Sequence, residues 1–384
     1  MPLRPDSQRP LGLVLSGGGA RGAFQVGVWK TLRNHPRGFG AAPDVISGTS
    51  AGALNGALIA AGLEPDDLLD FWLDLADRPP VIANEVFFKS LGRELQRLMW
   101  KEPTRSLARR GREMRIFADL IRKHARYRES GRLAMILEFL LTARFDSLSG
   151  LLSGIETAFL FSTEPVRERI AKAIGGRELR DSKVKLAINT VDIRTGSVVR
   201  IVNHKPDKPQ AASNHYRYEP VITLDMILAS ASIPLLFNPV RVGEMDLWDG
   251  GLLVNSPMAP AVALGAHRIV PVLVTVHPDH EPEELRTMGH AVERLADTFL
   301  ENAYNIDRKL LLDRNELAKR HGDPQLREVE LYRAIRPGER EHFNAGSYLF
   351  FERAALMSMY EAGRRAASEW LAAGPLRDGR NLPE

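Results

Sequence analysis

Two glycine-rich turns, each set between an apolar run and a helical pattern, limit what this chain can fold into. Leu11–Leu15 is an uninterrupted apolar run that passes into Ser16-Gly17-Gly18-Gly19-Ala20-Arg21-Gly22. It reads as a buried strand and a tight turn, followed by a helix over Ala23–Arg33 with Val26, Val28, Trp29 and Leu32 apolar. Residues 43–47 repeat the pattern as a second short strand, which runs into Gly48-Thr49-Ser50-Ala51-Gly52. The helix expected over Ser50–Ala61 carries small residues (Ala51, Gly52, Ala53, Gly56, Ala57, Ala60), which let it lie close to a sheet. Successive βα units predict a mainly parallel sheet covered by helices on both faces.

Further along, a helix is expected over Leu68–Ala76, then a region of about 85–161 in which basic and apolar stretches alternate, read as a helical insert. Strand patterns resume at Val184–Val191, Ser197–Val202 and Arg217–Leu224, with a short helix over Asp225–Ala231. Ile269–Val276 is rich in β-branched residues and reads as a buried strand. Glu283–Lys319 is helical, Leu326–Ile335 alternates like a strand, and Leu349–Leu371 is a final helix. The aromatics Trp72, Phe87, Phe88 and Trp100 are assigned to core packing rather than to a lipid box.

The first turn has two chemical readings. Gly17, Gly19 and Gly22 match G-x-G-x-x-G between strand and helix, the context of a dinucleotide fingerprint. That fingerprint also wants an acidic residue after the next strand, whereas Asp44 lies before the second strand. The same N–H groups at a helix N-terminus suit a transition-state oxyanion equally well.

The second turn matches G-x-S-x-G, a pattern that presents a serine hydroxyl at a helix N-terminus. A nucleophilic Ser50 needs a base. One candidate is Asp249, in Trp248-Asp249-Gly250-Gly251, expected in a loop as an exposed carboxylate. The other is a histidine: His267, His277 and His280 follow in Ser-Asp-His order, with His277 just after a strand end. Spacing alone leaves dyad and triad both open.

With no cysteine in the chain, a disulfide framework, a thiolate metal site and a cysteine nucleophile are excluded. No segment reaches the roughly 18 apolar residues of a membrane span. The longest candidate, Leu133–Ala143, is too short and contains Glu138, and the polar, proline-bearing residues 1–10 lack a signal-peptide core. A soluble, cytoplasmic chain is expected. The net charge of +4 is unevenly placed. Residues 89–132 hold 14 Lys/Arg against 5 Asp/Glu, a local +9 that leaves −5 for the rest. No nucleic-acid recognition motif accompanies this run, so no nucleic-acid partner is expected. A cationic segment beside the apolar stretch Leu133–Leu141 suits peripheral contact with an anionic membrane through 89–141, or simply a solvated helical face.

Taken together, these motifs resemble the patatin-like phospholipase family. The resemblance rests on four blocks in family order: Gly17-Gly18-Gly19-Ala20-Arg21-Gly22, Gly48-Thr49-Ser50-Ala51-Gly52, Ala229-Ser230-Ala231-Ser232-Ile233-Pro234 and Asp249-Gly250-Gly251. It implies a three-layer α/β/α fold over 9–280, including the helical insert, with 281–384 as a helix-rich C-terminal extension. It further implies a serine lipid acyl hydrolase with Ser50 as nucleophile, Asp249 as base and no histidine. Gly17, Gly18 and Gly19 would form the oxyanion hole. Gly22, Gly48, Gly52, Gly250 and Gly251 would support these turns, and Arg21 would brace the first loop or face a phosphate. The expected partner is a lipid acyl ester, with no metal and no cofactor. An acyl thioesterase or acyltransferase with the same dyad is the nearest alternative. A nucleotide-binding protein or a non-catalytic regulator are more distant ones.

Overall fold

The computed structural model describes residues 9–101, 152–206, 216–276, 288–321, 327–338, 348 and 351–378. Residues 102–151, with most of the basic run and the apolar stretch Leu133–Leu141, lie outside the described residues, as do His277 and His280. The chain divides into two compact units, Met1–Ile82 with Thr163–Glu384, and Ala83–Ser162.

In chain order the elements are β1 (Leu11–Leu15), α1 (Gly22–Asn34), β2 (Val45–Thr49), α2 (Ala51–Ala60), α3 (Pro65–Asp77), β3 (Ile82–Ala83), α4 (Glu85–Lys101) and β4 (Phe159–Ser162). Then follow α5 (Glu164–Ala173), β5 (Glu178–Leu179), β6 (Lys185–Asp192), β7 (Ser197–Val202), β8 (Tyr216–Tyr218), β9 (Ile222–Thr223) and α6 (Leu224–Ala229). The remainder comprises β10 (Leu235–Phe237), β11 (Val240–Val242), β12 (Met245–Asp249), α7 (Met258–Ala263), β13 (Arg268–Val272), α8 (Met288–His321), β14 (Glu330–Leu331) and α9 (Arg353–Ala373).

The large sheet of the first unit runs β11-β12-β6-β2-β1-β13-β14, with β7 and β8 attached to β6. Its centre is parallel: β1 pairs with β2 and β13, and β2 pairs with β6. The flank is antiparallel, through β6–β12, β11–β12 and β6–β7. Strand side chains alternate between two buried layers, as the two-residue period requires. Leu11, Leu13, Leu15, Ile46, Leu186, Ile188, Val270 and Val272 join one layer with α1, α2, α3, α6 and α9. Val14, Val45, Ala187, Val202 and Ile269 join the other with α7 and α8. The result is a three-layer α/β/α arrangement around a mainly parallel sheet.

Three expectations are corrected. Arg217–Leu224 is not one strand but the ends of β8 and β9, and the helix begins at Leu224, where Thr223 caps it through Met226 N–H. The strand expected over Leu326–Ile335 is only Glu330–Leu331, with Ile335 bridging Val272 singly. The β13 ladder ends at Val272, short of Val276. Among the described residues no helix is long and apolar enough to cross a membrane.

In the second unit, Asn84 ties the start of α4 to the segment that leads into β4. Its amide donates to Thr157 Oγ1 and to Phe159 O, both at 3.0 Å. Phe87 is buried and meets Phe88 edge-on. In the first unit Trp72 is also core, with 1% exposure and its ring stacked on Phe351.

The helix α9 docks on α1 through glycines. A Cβ on Gly363 would lie 2.0 Å from Phe24 O, and one on Gly27 would lie 1.9 Å from Tyr360 O. Backbone meets backbone at both points, so an added methyl has no flexible neighbour to displace. Alanine gains about 1 kcal/mol of helix propensity over glycine, but overpacking typically costs about 1–3 kcal/mol. Gly363→Ala should therefore lower stability by about 1–2 kcal/mol in urea unfolding. A neutral or stabilising outcome would show that the two helices can separate freely.

Candidate active site

The sheet edge of β6 places the two chemical turns together. Residues Lys185–Asn189 of β6 pair with β2, and Thr190–Asp192 pair with β12 on the same edge. The opposite edge is taken by β7. Because β2 runs parallel to β6 and β12 antiparallel, their C-terminal ends meet. Thr49 lies opposite Asn189, and Asp249 lies opposite the next residue, Thr190. Ser50 follows Thr49 directly, so the serine turn and Asp249 face each other at that junction.

The serine turn is strained and tightly held. Ser50 has φ 54° and ψ −125°, a backbone conformation that a non-glycine residue rarely adopts. Such a residue costs roughly 1–3 kcal/mol and persists only where its surroundings over-determine it. Its neighbours do so here. A Cβ on Gly48 would lie 2.3 Å from Gly52 O, and one on Gly52 would lie 2.2 Å from Leu15 O. Gly48 and Gly52 therefore allow the turn to fold back on β1. The Ser50 N–H donates to Ser230 Oγ at 3.0 Å, and Ser230 donates in turn to Asn189 O at 2.6 Å. Asn189 Nδ2 donates to Gly48 O, and Thr49 Oγ1 donates to Val254 O.

Asp249 ends β12 rather than sitting in an exposed loop, and only 4% of it is exposed. That corrects the sequence expectation. Its N–H donates to Ser232 O, and its Oδ1 accepts from Gly251 N–H at 2.7 Å. Gly250 is needed because a Cβ there would lie 2.3 Å from Asn189 O. The Ser50 hydroxyl is close enough to the Asp249 carboxyl to favour its charged form. Burial pushes its pKa up to about 7, against the opposing pull of the Gly251 N–H and the Ser50 hydroxyl. A carboxyl poised near neutrality beside a hydroxyl is a competent proton acceptor. Ser50 itself is 6% exposed.

The first glycine turn lies beside the serine, since a Cβ on Gly17 would lie 3.1 Å from Ser50 Cβ. The three glycines are not equivalent. Gly17 N–H donates to Asn255, at 3.0 Å to Oδ1 and 3.2 Å to its backbone oxygen. This corrects the expectation that Gly17 is a free donor. Among the described residues no hydrogen bond from the N–H of Gly18 or Gly19 is found. Arg21 does not face a phosphate and is not solvated: it is fully buried against Glu293 and Asp297.

Two further candidates, His267 and Asp44, lie within the described residues. His267 stands just before β13, at the N-terminal end of the parallel strands, whereas Ser50 follows the C-terminal end of β2. It is at the wrong edge of the sheet to act on Ser50. Asp44 accepts from Leu11 N–H at 2.7 Å and so braces the start of β1. Among the described residues no three His, Asp or Glu side chains converge as a metal site.

A family model described as patatin-like phospholipase matches residues 13–262, well over half of the chain. The chain belongs to the patatin-like phospholipase family. It is 58% identical over 52 residues to lysophospholipase nte1 of Aspergillus terreus, a match covering 14% of this chain and 3% of that protein. It is 49% identical over 59 residues to a patatin-like phospholipase domain-containing protein of Caenorhabditis elegans, covering 15% of this chain and 4% of that one. The chain thus spans a small fraction of the length of these relatives. Among solved structures, VipD from Legionella pneumophila aligns over 94% of this chain and 67% of its own, at 14% identity and a TM-score of 0.36. The type III effector ExoU aligns over 96% and 53%, at 15% identity and a TM-score of 0.33.

Within this patatin-like chain, several contributors had no sequence signal. Asn189, on β6, and Asn255, beyond the Asp-Gly-Gly turn, are single asparagines in unremarkable contexts. A third group is the buried relay Gln25–Asn55–Trp72. Gln25 donates to Ser16 O at 2.7 Å, Asn55 donates to Gln25 Oε1 and Gly22 O, and Trp72 donates to Asn55 Oδ1. It clamps both ends of the glycine loop. Ser230 was visible only as part of the Ala229–Pro234 block.

The raised pKa of Asp249 fixes a pH dependence of stability. An unfolded aspartate ionises near 3.9, whereas the folded one holds its proton up to about 7. The native state binds more protons between these values, so this contribution is fully present below about pH 4 and lost as pH rises through about 7. Asp249→Asn keeps an acceptor for Gly251 N–H and removes the charge. It should be more stable than the parent at pH 8, by an amount on the order of a few kcal/mol. The gain should shrink towards pH 4 in paired thermal melts. A difference constant with pH would mean that the carboxyl does not titrate in this range.

Proposed function

We propose that this chain is a serine lipid acyl hydrolase that works through a Ser50–Asp249 dyad. The observation that carries the reading is the meeting of the strand ends that bear Ser50 and Asp249 on one edge of β6, with the Asp249 carboxyl buried and its pKa pushed up to about 7. Family membership supports a lipid ester as substrate.

In the forward step, ionised Asp249 accepts the Ser50 proton while Oγ attacks the ester carbonyl. The carbonyl oxygen becomes an oxyanion, held by the N–H groups of Gly18 and Gly19. Collapse of this intermediate breaks the ester bond, and the alcohol leaves with the proton from Asp249. A water molecule then gives its proton to Asp249 and attacks the acyl-serine. The fatty acid departs, and Ser50 recovers its proton. Removing a nucleophile or its base typically costs about 10³-fold or more, so Ser50→Ala and Asp249→Asn should each lose that much kcat/KM while remaining folded. In the parent enzyme kcat/KM should rise with pH and level off above about 7, because the base must be ionised. The decisive assay is a panel of phospholipids, neutral glycerides and acyl thioesters with all three proteins. Turnover retained by Ser50→Ala would overturn the dyad. Preference for thioesters, or transfer to an alcohol acceptor, would redirect the reading to a thioesterase or acyltransferase.

Aggregated lipid must be reached before one molecule can be bound. The local +9 of residues 89–132 is the feature of this chain suited to an anionic lipid surface. Each basic residue near such a surface contributes about 1 kcal/mol, weakened by salt. Reversing the charge at Arg109, Arg110, Arg112 and Arg115 should impair turnover on anionic vesicles and spare a soluble short-chain ester. Equal activity of that variant on both substrates would show that the basic run is not a lipid contact.

A further inference from the structure

The family model ends at residue 262, yet the side chains that hold Arg21 lie beyond it. Arg21 closes the turn that presents Gly18 and Gly19, its N–H donating to Gly18 O at 3.1 Å. Its side chain is wholly buried. Nη2 donates to Glu293 Oε1 at 3.0 Å. Nη1 donates to Asp297 Oδ1 and to the Tyr348 hydroxyl, both at 3.0 Å, and lies 3.3 Å from Val274 O. The guanidinium carbon is 3.8 Å from the Tyr348 ring centroid. The Tyr348 hydroxyl donates in turn to Asp297 Oδ1. Backbone from the same place presses on the loop, since a Cβ on Gly19 would lie 2.0 Å from Tyr348 O.

A buried guanidinium is costly unless its hydrogen bonds are met, and removing one partner leaves the rest uncompensated. The arrangement meets it from two sides, with two carboxylates from α8 and a stacked tyrosine. The loop itself consists largely of glycine and has little rigidity of its own. An oxyanion donor must lie about 2.7–3.1 Å from the developing charge. The N–H groups of Gly18 and Gly19 are therefore only as well aimed as the arginine that anchors their turn.

We propose that Glu293, Asp297 and Tyr348 are positioning residues that aim the Gly18 and Gly19 N–H donors through Arg21. The proposal rests on the reading of Ser50 and the glycine loop as an acyl-transfer site. A loosened loop binds the ground-state ester almost unchanged and stabilises the tetrahedral intermediate poorly. The loss then falls on kcat and not on KM.

The test uses the full chain with a soluble short-chain ester and a fluorophosphonate that phosphonylates serine. Tyr348→Phe removes one hydroxyl, and it should lower kcat by about 10-fold with KM within about twofold. Asp297→Asn and Glu293→Gln should lower it by about 10²-fold, the scale of losing one oxyanion donor. Fluorophosphonate labelling of Ser50 should slow by a similar factor, because its phosphoryl oxygen occupies the same hole. Glu293→Asp should recover part of the loss. A merely structural role would lower the melting temperature and leave kcat and labelling of the folded fraction intact, and that result overturns the proposal. So does a rise in KM at constant kcat. If Asp297→Asn fails to fold, Tyr348→Phe decides the matter by the same readouts. Absence of ester turnover and of Ser50 labelling in the parent protein would instead overturn the reading of the site, and the proposal with it.

Discussion

Everything at the site depends on one edge of β6 serving two strands end to end. A strand edge offers one row of N–H and C=O groups. In β6 the first five residues of that row are taken by β2 and the last three by β12, which arrives from the opposite direction. Two strand ends that are about 200 residues apart in sequence must then abut, as ladder geometry dictates. Ser50 and Asp249 are brought together by backbone pairing before any side chain interacts. The tightness of the junction explains the glycine at 250, whose missing Cβ leaves room for Asn189 O. It also explains why Ser230 can bridge Asn189 O to the Ser50 N–H.

Burial then turns this geometry into chemistry. An aspartate in water is a weak base at neutral pH because it ionises near 3.9. Buried at the end of β12, with a single backbone N–H and the serine hydroxyl for company, Asp249 keeps a higher proton affinity. Of the histidine candidates, the one within the described residues, His267, is placed at the far end of the strands. The cost of a buried, partly satisfied carboxyl and a strained Ser50 is borne by the surrounding core, whose two apolar layers cover the sheet on both faces.

The C-terminal residues are woven into this core. Helix α9 lies against α1 at Gly27 and Gly363, and Phe351 stacks on Trp72, whose indole N–H anchors Asn55. Asn55 in turn holds Gln25 and Gly22, at the exit of the glycine loop. Residues from 288 onward therefore touch the loop from two directions, through this relay and through Arg21.

The sequence by itself determined the local elements and the chemical turns. The run Leu11–Leu15, the two glycine turns and the small-residue helix after Ser50 are dictated by periodicity and by the need for backbone without side chains, both local properties. The helices α1, α2 and α3 and the strand β7 were legible for the same reason. Only the tertiary structure decided the rest, because burial and pairing partners are not local. Asp249 reads as a loop aspartate until β12 is seen to pair with β6 and bury it. Arg21 reads as bracing the loop or facing a phosphate until α8 and Tyr348 are seen to enclose it. Gly17 reads as a donor until Asn255 takes its N–H. In each case the deciding group lies more than 50 residues away in sequence, where neither residue type nor spacing carries its signal.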